Sequence, residues 1–250
     1  MDHETWTDSQ ETTTVTVDDH ELRVAYYEAD ADHPDPPVVF LHGIPTWSFL
    51  FRAIVPALSG ERHVIVPDLV GYGNSAMHDG FDRSIRAQEQ VLEGLLAELA
   101  PGADGVDLVG HDIGGGIALR YAWHKPGVVD RLVLSNAACF DTWPVEFINS
   151  LGLPDTPRDR TLSDLEEDLD FVFGDGVYAD EPDPAFVRGM KAPWLDAEGM
   201  VSITRCAVAT NTNLTTEIDY GQIAAETLLL WGAEDILQPI SQADRIADAD

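Results

Sequence analysis

Apolar and polar positions follow two periods along this chain. Residues 12–17 and 21–27 alternate with a period of two, and Leu22, Val24 and Tyr26 share one face. Asp18, Asp19 and His20 between them carry turn chemistry, so the spacing predicts a hairpin. Residues 38–41, 64–66, 106–109 and 132–134 are short, continuous apolar runs, the pattern of parallel strands buried on both faces. Residues 82–100 carry the helical period instead, with Ile85, Leu92, Leu95, Leu96 and Leu99 on one face. Residues 48–58 also read as helical, as does the stretch holding Ile117, Leu119, Tyr121 and Ala122. Residues 1–10 read as a loose leader and 30–37 as a polar, proline-rich loop. Strand alternating with helix predicts a doubly wound, mostly parallel α/β sheet.

The rhythm breaks after Ser135. Residues 140–212 are rich in Pro, Asp and aromatics, with helical pieces such as 162–172 and no clear strand. They read as a helical cap inserted over the C-terminal ends of the strands. A strand pattern resumes at 227–231 and a last helix opens at 241. The expected organisation is therefore a core of residues 1–139 and 213–250 around an insertion of residues 140–212.

A chain of 250 residues can bury one full core. No apolar run approaches the ~20 residues that span a bilayer, and the acidic start is not a targeting signal. Cys139 and Cys206 lack metal or redox spacing and suit buried thiols in a reducing, cytoplasmic setting. Charge changes the picture most: 45 acids against 14 bases give a net −31, spread along the whole chain. Such a surface repels nucleic acid and anionic membrane. Molar salt, with a screening length of about 3 Å, would relieve its self-repulsion, so a halophilic setting is expected. The acidic run at 164–170 reads as a solvated helix face, since it lacks the glycine and spacing of a calcium loop.

The candidate chemistry lies between an apolar strand and a helical pattern. Gly110-His111-Asp112-Ile113-Gly114 has the small-x-nucleophile-x-small spacing of a tight strand–turn–helix elbow. Small residues on both sides let strand and helix approach, and the central side chain is held out above the sheet. A carboxylate there faces the free N–H groups of a helix N-terminus. The plainer reading is an Asp capping a helix.

Three further motifs each follow a strand: His42-Gly43-Ile44-Pro45-Thr46-Trp47-Ser48, Asp68-Leu69-Val70-Gly71-Tyr72-Gly73-Asn74-Ser75, and Trp231-Gly232-Ala233-Glu234-Asp235. With the elbow they resemble the α/β-hydrolase superfamily over essentially the whole chain. The H-G-x-P-T-W-S and G-H-D-x-G-G patterns are similar to its aspartate-nucleophile branch, which holds haloalkane dehalogenases and epoxide hydrolases. The resemblance implies that Asp112 attacks a saturated carbon of a small hydrophobic substrate to form an alkyl-enzyme ester, with no cofactor and no metal. It implies that backbone N–H groups of Ile44 and Ile113 hold the oxyanion when a histidine-activated water cleaves the ester. Asp235 is the implied acid that orients the histidine, and Asp141, after the sixth strand, is the alternative.

Two departures qualify the resemblance. Ile113 and Ile44 replace the side chains with which dehalogenases bind halide, so the balance leans to epoxide chemistry. Tyr178 and Tyr220 would then be the ring-protonating tyrosines. Trp143 and Trp194 could offer an N–H to halide, and Trp47 and Trp143 could equally be pocket wall. No histidine follows His124, whereas the family places its histidine beyond the seventh-strand acid. His42 and His111 belong to motif turns, and His63, His78 and His124 read as surface residues. The expectation is a chain without an eighth strand and last helix: a fragment, or a catalytically inactive hydrolase fold that binds small molecules.

Overall fold

A computed structural model describes residues 1–153, 160–175 and 181–249 of the chain. Seven strands form one sheet: β1 (Glu11–Val17), β2 (His20–Ala29), β3 (Val38–Leu41), β4 (Val64–Pro67), β5 (Val106–His111), β6 (Val129–Ser135) and β7 (Glu226–Leu230). Their order is β1-β2-β4-β3-β5-β6-β7. The β1–β2 hairpin and the β2–β4 pair are antiparallel; every later pair is parallel. Asp18 and Asp19 both take left-handed backbone (φ 43° and 67°), which gives the two-residue turn the twist a hairpin needs. All residues of β3 and β4 are buried, as their unbroken apolar runs require. β7 lies at the sheet edge, with Leu228 and Leu230 about half exposed.

Helix α2 (Ile85–Leu99) is capped by the Ser84 side chain and packs on β1 and on α3 (Ile113–His124). Between β6 and β7 lie α4 (Glu146–Leu151), α5 (Leu162–Asp170), α6 (Pro184–Lys191), α7 (Ala197–Val208) and the short α8 (Asn213–Thr216). No strand occurs there among the described residues. Thr161 and Asp164 form a capping box on α5, while Asp183 and Asp196 cap α6 and α7. Leu165 and Leu169 face inward, leaving most acids of α5 toward solvent. Two indoles tie this region to the loop after β3: Trp47 donates to the Gly189 carbonyl (2.9 Å) and Trp194 to the Pro45 carbonyl (2.8 Å).

The start of the chain is not loose. Helix α1 (His3–Asp8) is capped by Asp2, and six residues alone would not hold as a helix. Trp6 fixes it. Its ring is fully buried and stacks on Tyr27, and its N–H donates to Ser48 Oγ (2.8 Å). Gln10 then reaches the buried Asp68 carboxylate (3.0 Å). Residues 48–58 also differ from the expected helix: Ser48–Phe51 and Val55–Leu58 are separate 3-10 turns, the second holding Pro56.

With few bases, several hold two carboxylates each. Arg86 bridges Asp18 and Asp82. The buried Arg120 bridges Glu89 and Glu217. Lys191, also buried, meets Glu166 (3.1 Å) and Asp170 (2.6 Å). His63 is buried against Glu28 rather than at the surface, and His124 pairs with Glu89.

Candidate active site

The β5–α3 elbow builds the site. Asp112 sits at φ 52°, ψ −123°, backbone that a side chain rarely adopts. It persists because its amide donates to the Ser135 carbonyl (3.2 Å), and its own carbonyl accepts from Gly115 (2.9 Å) and Ala138 (2.8 Å). Gly114 is required by contact: a Cβ there would stand 2.1 Å from the Leu41 carbonyl oxygen. Gly43, at the end of β3, lies against Asp112 itself, and a Cβ there would stand 2.4 Å from Asp112 Oδ1.

This approach brings the Ile44 amide onto Asp112 Oδ1 at 2.7 Å. The Ile113 amide also faces the carboxylate. Burial raises the Asp112 pKa; the His111 ring and the two backbone N–H groups oppose that rise, and the Asp235 charge adds to it. The two positions expected to supply oxyanion donors thus both reach this carboxylate. His42 below is buried, accepts from the Leu69 amide at Nε2 (3.0 Å) and therefore donates from Nδ1 to the Gly43 carbonyl (3.0 Å). Burial pushes it down to about 3, so it is neutral and has no free nitrogen. His111 is likewise engaged through Nδ1 with the Ser135 carbonyl.

Asp112 opens on a cavity of about 790 Å³ whose walls include Ile44, Ile113, Trp143, Ile148, Val172 and Leu237. Asp235 lines the same cavity. Its Oδ1 accepts from the Leu237 (2.7 Å) and Gln238 (2.9 Å) amides, and its Oδ2 accepts from Asn136 Nδ2. None of the chain's eight histidines lines the cavity.

The remaining expected residues are distributed differently. Asp141 lies outside the cavity, largely exposed; its pairing with Arg245 (3.0 Å) lowers its pKa. Trp47 does not line this cavity; its indole is buried and donates to the Gly189 carbonyl. Trp143 does line the cavity, but its N–H donates to Thr215 Oγ1 (2.7 Å), and that of Trp194 is spent on Pro45, so neither is available to an anion. The Tyr220 hydroxyl donates to the Thr215 carbonyl and accepts from the Phe140 amide, away from the cavity lining. Tyr178 lies outside the described residues.

Asn136 is the residue that sequence reasoning missed. It follows β6 at φ 47°, a conformation asparagine tolerates, and its amide bonds the Leu230 carbonyl at the end of β7. An Asn beside a strand end is a faint signal; the neighbouring of β6 and β7 gives it meaning.

Comparison with known proteins agrees with this fold. A family model described as the alpha/beta hydrolase family matches residues 38–250. A cis-3-alkyl-4-alkyloxetan-2-one decarboxylase of Shewanella oneidensis is 40% identical over 114 residues, 44% of this chain and 36% of that protein. A soluble epoxide hydrolase of Corynebacterium sp. is 29% identical over 191 residues, 68% of this chain and 64% of that protein. These matches thus span about a third and just under two thirds of the relatives' lengths. Among solved structures, a haloalkane dehalogenase from Bradyrhizobium elkani superposes with a TM-score of 0.75 at 22% identity, covering 96% of this chain and 86% of that one; this is a likeness of fold. Within the described residues, no helix is long and apolar enough to cross a membrane. The family match over residues 38–250, the mostly parallel sheet and the elbow after β5 together make this chain a member of the alpha/beta hydrolase family.

Proposed function

We propose that Asp112 is a carboxylate nucleophile that opens small, strained, hydrophobic electrophiles, epoxides foremost, to give an alkyl-enzyme ester. The observation that carries this reading is the carboxylate in the elbow, with Oδ1 anchored on the Ile44 amide at 2.7 Å while the side chain faces the apolar cavity. The ionised carboxylate needs no base for this first step, and the Ile44 and Ile113 amides and the His111 ring favour that form against burial. One carboxylate oxygen bonds to a ring carbon, and the ring C–O bond breaks. The electron pair goes to the ring oxygen, which takes a proton from water. The commitment of the Trp47, Trp143 and Trp194 indoles to protein acceptors favours epoxide over haloalkane chemistry. The oxetanone in the name of the Shewanella relative is also a strained oxygen ring.

In this reading residues 140–212 act as a cap over a core of residues 1–139 and 213–250. Cleavage of the ester would place negative charge on Oδ1, where the Ile44 and Ile113 amides stand ready as oxyanion donors. That step needs a base worth roughly 10²–10⁴-fold. In this reading Asp235, held by Asn136 and two amides, would orient such a base. Among the described residues no imidazole lines the cavity, so residues 1–250 by themselves are expected to stop at the ester.

Intact-mass measurement after incubation with a small terminal epoxide in molar potassium chloride tests the reading. One adduct of the whole epoxide mass is expected, mapped to the peptide holding Asp112 and abolished by Asp112→Asn. A bromoalkane would leave only its alkyl group. The absence of histidine at the cavity favours a second reading, a non-catalytic binding fold. A chain that melts cooperatively yet gains no adduct from a panel of both electrophile types would establish that second reading over the first.

A further inference from the structure

The cavity that Asp112 faces has apolar walls, and its charges have one sign. Its ionisable lining groups are Asp112, Glu234 and Asp235; no Lys, Arg or His joins them among the described residues. Arg245 and Lys191, outside the lining, are held by carboxylates: Arg245 by Asp141, and Lys191 by Glu166 and Asp170. The backbone N–H groups that could receive an anion, those of Ile44 and Ile113, face the Asp112 carboxylate instead. Glu234 lines the cavity, is exposed and forms no ion pair among the described residues. A ligand carboxylate entering here would lose hydration and meet like charge.

We propose that this cavity admits uncharged electrophiles and excludes those bearing a carboxylate, with Glu234 as a specificity-determining residue in its lining. The proposal rests on the reading of this cavity as the substrate site. The volume, about 790 Å³, suits a ligand of drug-like size, so exclusion comes from charge and not from room. Salt divides the contributions. Molar salt screens the exposed Glu234, but it screens the half-buried Asp112 and Asp235 much less. Discrimination therefore shrinks with salt without vanishing.

The experiment compares a terminal seven-carbon epoxide with the same chain ending in a carboxylate. Adduct formation is followed by intact mass at low and molar potassium chloride. Each rate is divided by that of the same probe with free acetate, which removes differences in intrinsic reactivity. The carboxylated probe is expected to label roughly 10- to 100-fold more slowly at low salt, and still at least about threefold more slowly in molar salt. Glu234→Gln should narrow the ratio several-fold at low salt. Equal corrected rates for the two probes would overturn the proposal while leaving the nucleophile reading intact. Loss of both adducts would count against the nucleophile reading alone. Charge selection is then read from binding, by the fluorescence of the cavity indole Trp143 on titration with heptanol and with heptanoate. Tighter binding of the alcohol supports the proposal, and equal or tighter binding of the acid overturns it.

Discussion

Gly43→Ala tests how the candidate site is held together. The added Cβ would stand 2.4 Å from Asp112 Cβ and Oδ1 and 2.8 Å from its Cγ, well inside van der Waals contact. Asp112 cannot absorb this freely, because its backbone is tethered to Ser135, Gly115 and Ala138. Overpacking of this kind costs about 1–3 kcal/mol. Moving the carboxylate off the Ile44 amide forfeits a charged hydrogen bond, about 1.5–3 kcal/mol. Together these give about 3–5 kcal/mol, a fall in Tm on the order of 10 °C for a chain of this size. Displacing the nucleophile by about 1 Å should slow epoxide labelling roughly 100-fold. Denaturant melts and labelling rates measure both. Asp112→Gly supplies the control, since it removes all three clashing atoms and suits φ 52° without strain. In that background Gly43→Ala should cost at least 2 kcal/mol less, a coupling of roughly the size expected for touching residues. Wild-type labelling by Gly43→Ala, or the same loss of stability in both backgrounds, would refute the reasoning.

Trp6→Ala should cost about 3–5 kcal/mol in urea unfolding, against near zero for a loose leader, because it empties a fully buried site and strands Ser48. His42, held down to about 3 against the usual 6.5, stays neutral in the folded chain while the unfolded chain takes up a proton. Its contribution is therefore lost as pH falls below 6.5, by about 3 kcal/mol at roughly pH 4. His42→Asn should flatten that slope in the difference between the two stability curves, and an unchanged slope would remove His42 as its source. With a net charge of −31, Tm should climb steeply from dilute buffer to molar potassium chloride, and a flat response would rule out self-repulsion as a limit on stability.

Features fixed by local chemistry were legible in the sequence. The hairpin turn, the buried parallel strands and the elbow each depend on residue types within a few positions: aspartates that tolerate left-handed backbone, unbroken apolar runs, and glycines flanking Asp112. What escaped depends on distant partners. Helix α1 exists because Trp6 meets Ser48 and Tyr27, and nothing in the first ten residues announces those contacts. The roles of Trp143, Trp194 and Tyr220 turn on which carbonyl or hydroxyl each polar tip finds, so residues that the family resemblance offered as pocket donors are spent internally by the fold. Asn136 joins Asp235 only because β6 lies beside β7.

The sharing of single cations between pairs of acids has a consequence for how the chain tolerates variation. Removing one acid from Arg86, Arg120 or Lys191 leaves each cation still partnered, so these six acidic positions should accept substitution singly. Removing the base instead releases two carboxylates at once, beside buried neighbours for Arg120 and Lys191. In a saturation library the two signs of charge would then behave unequally. The acids paired with Arg86, Arg120 and Lys191 would tolerate single substitution, and the three bases would stand out as constrained positions, with Arg120 and Lys191 constrained most tightly.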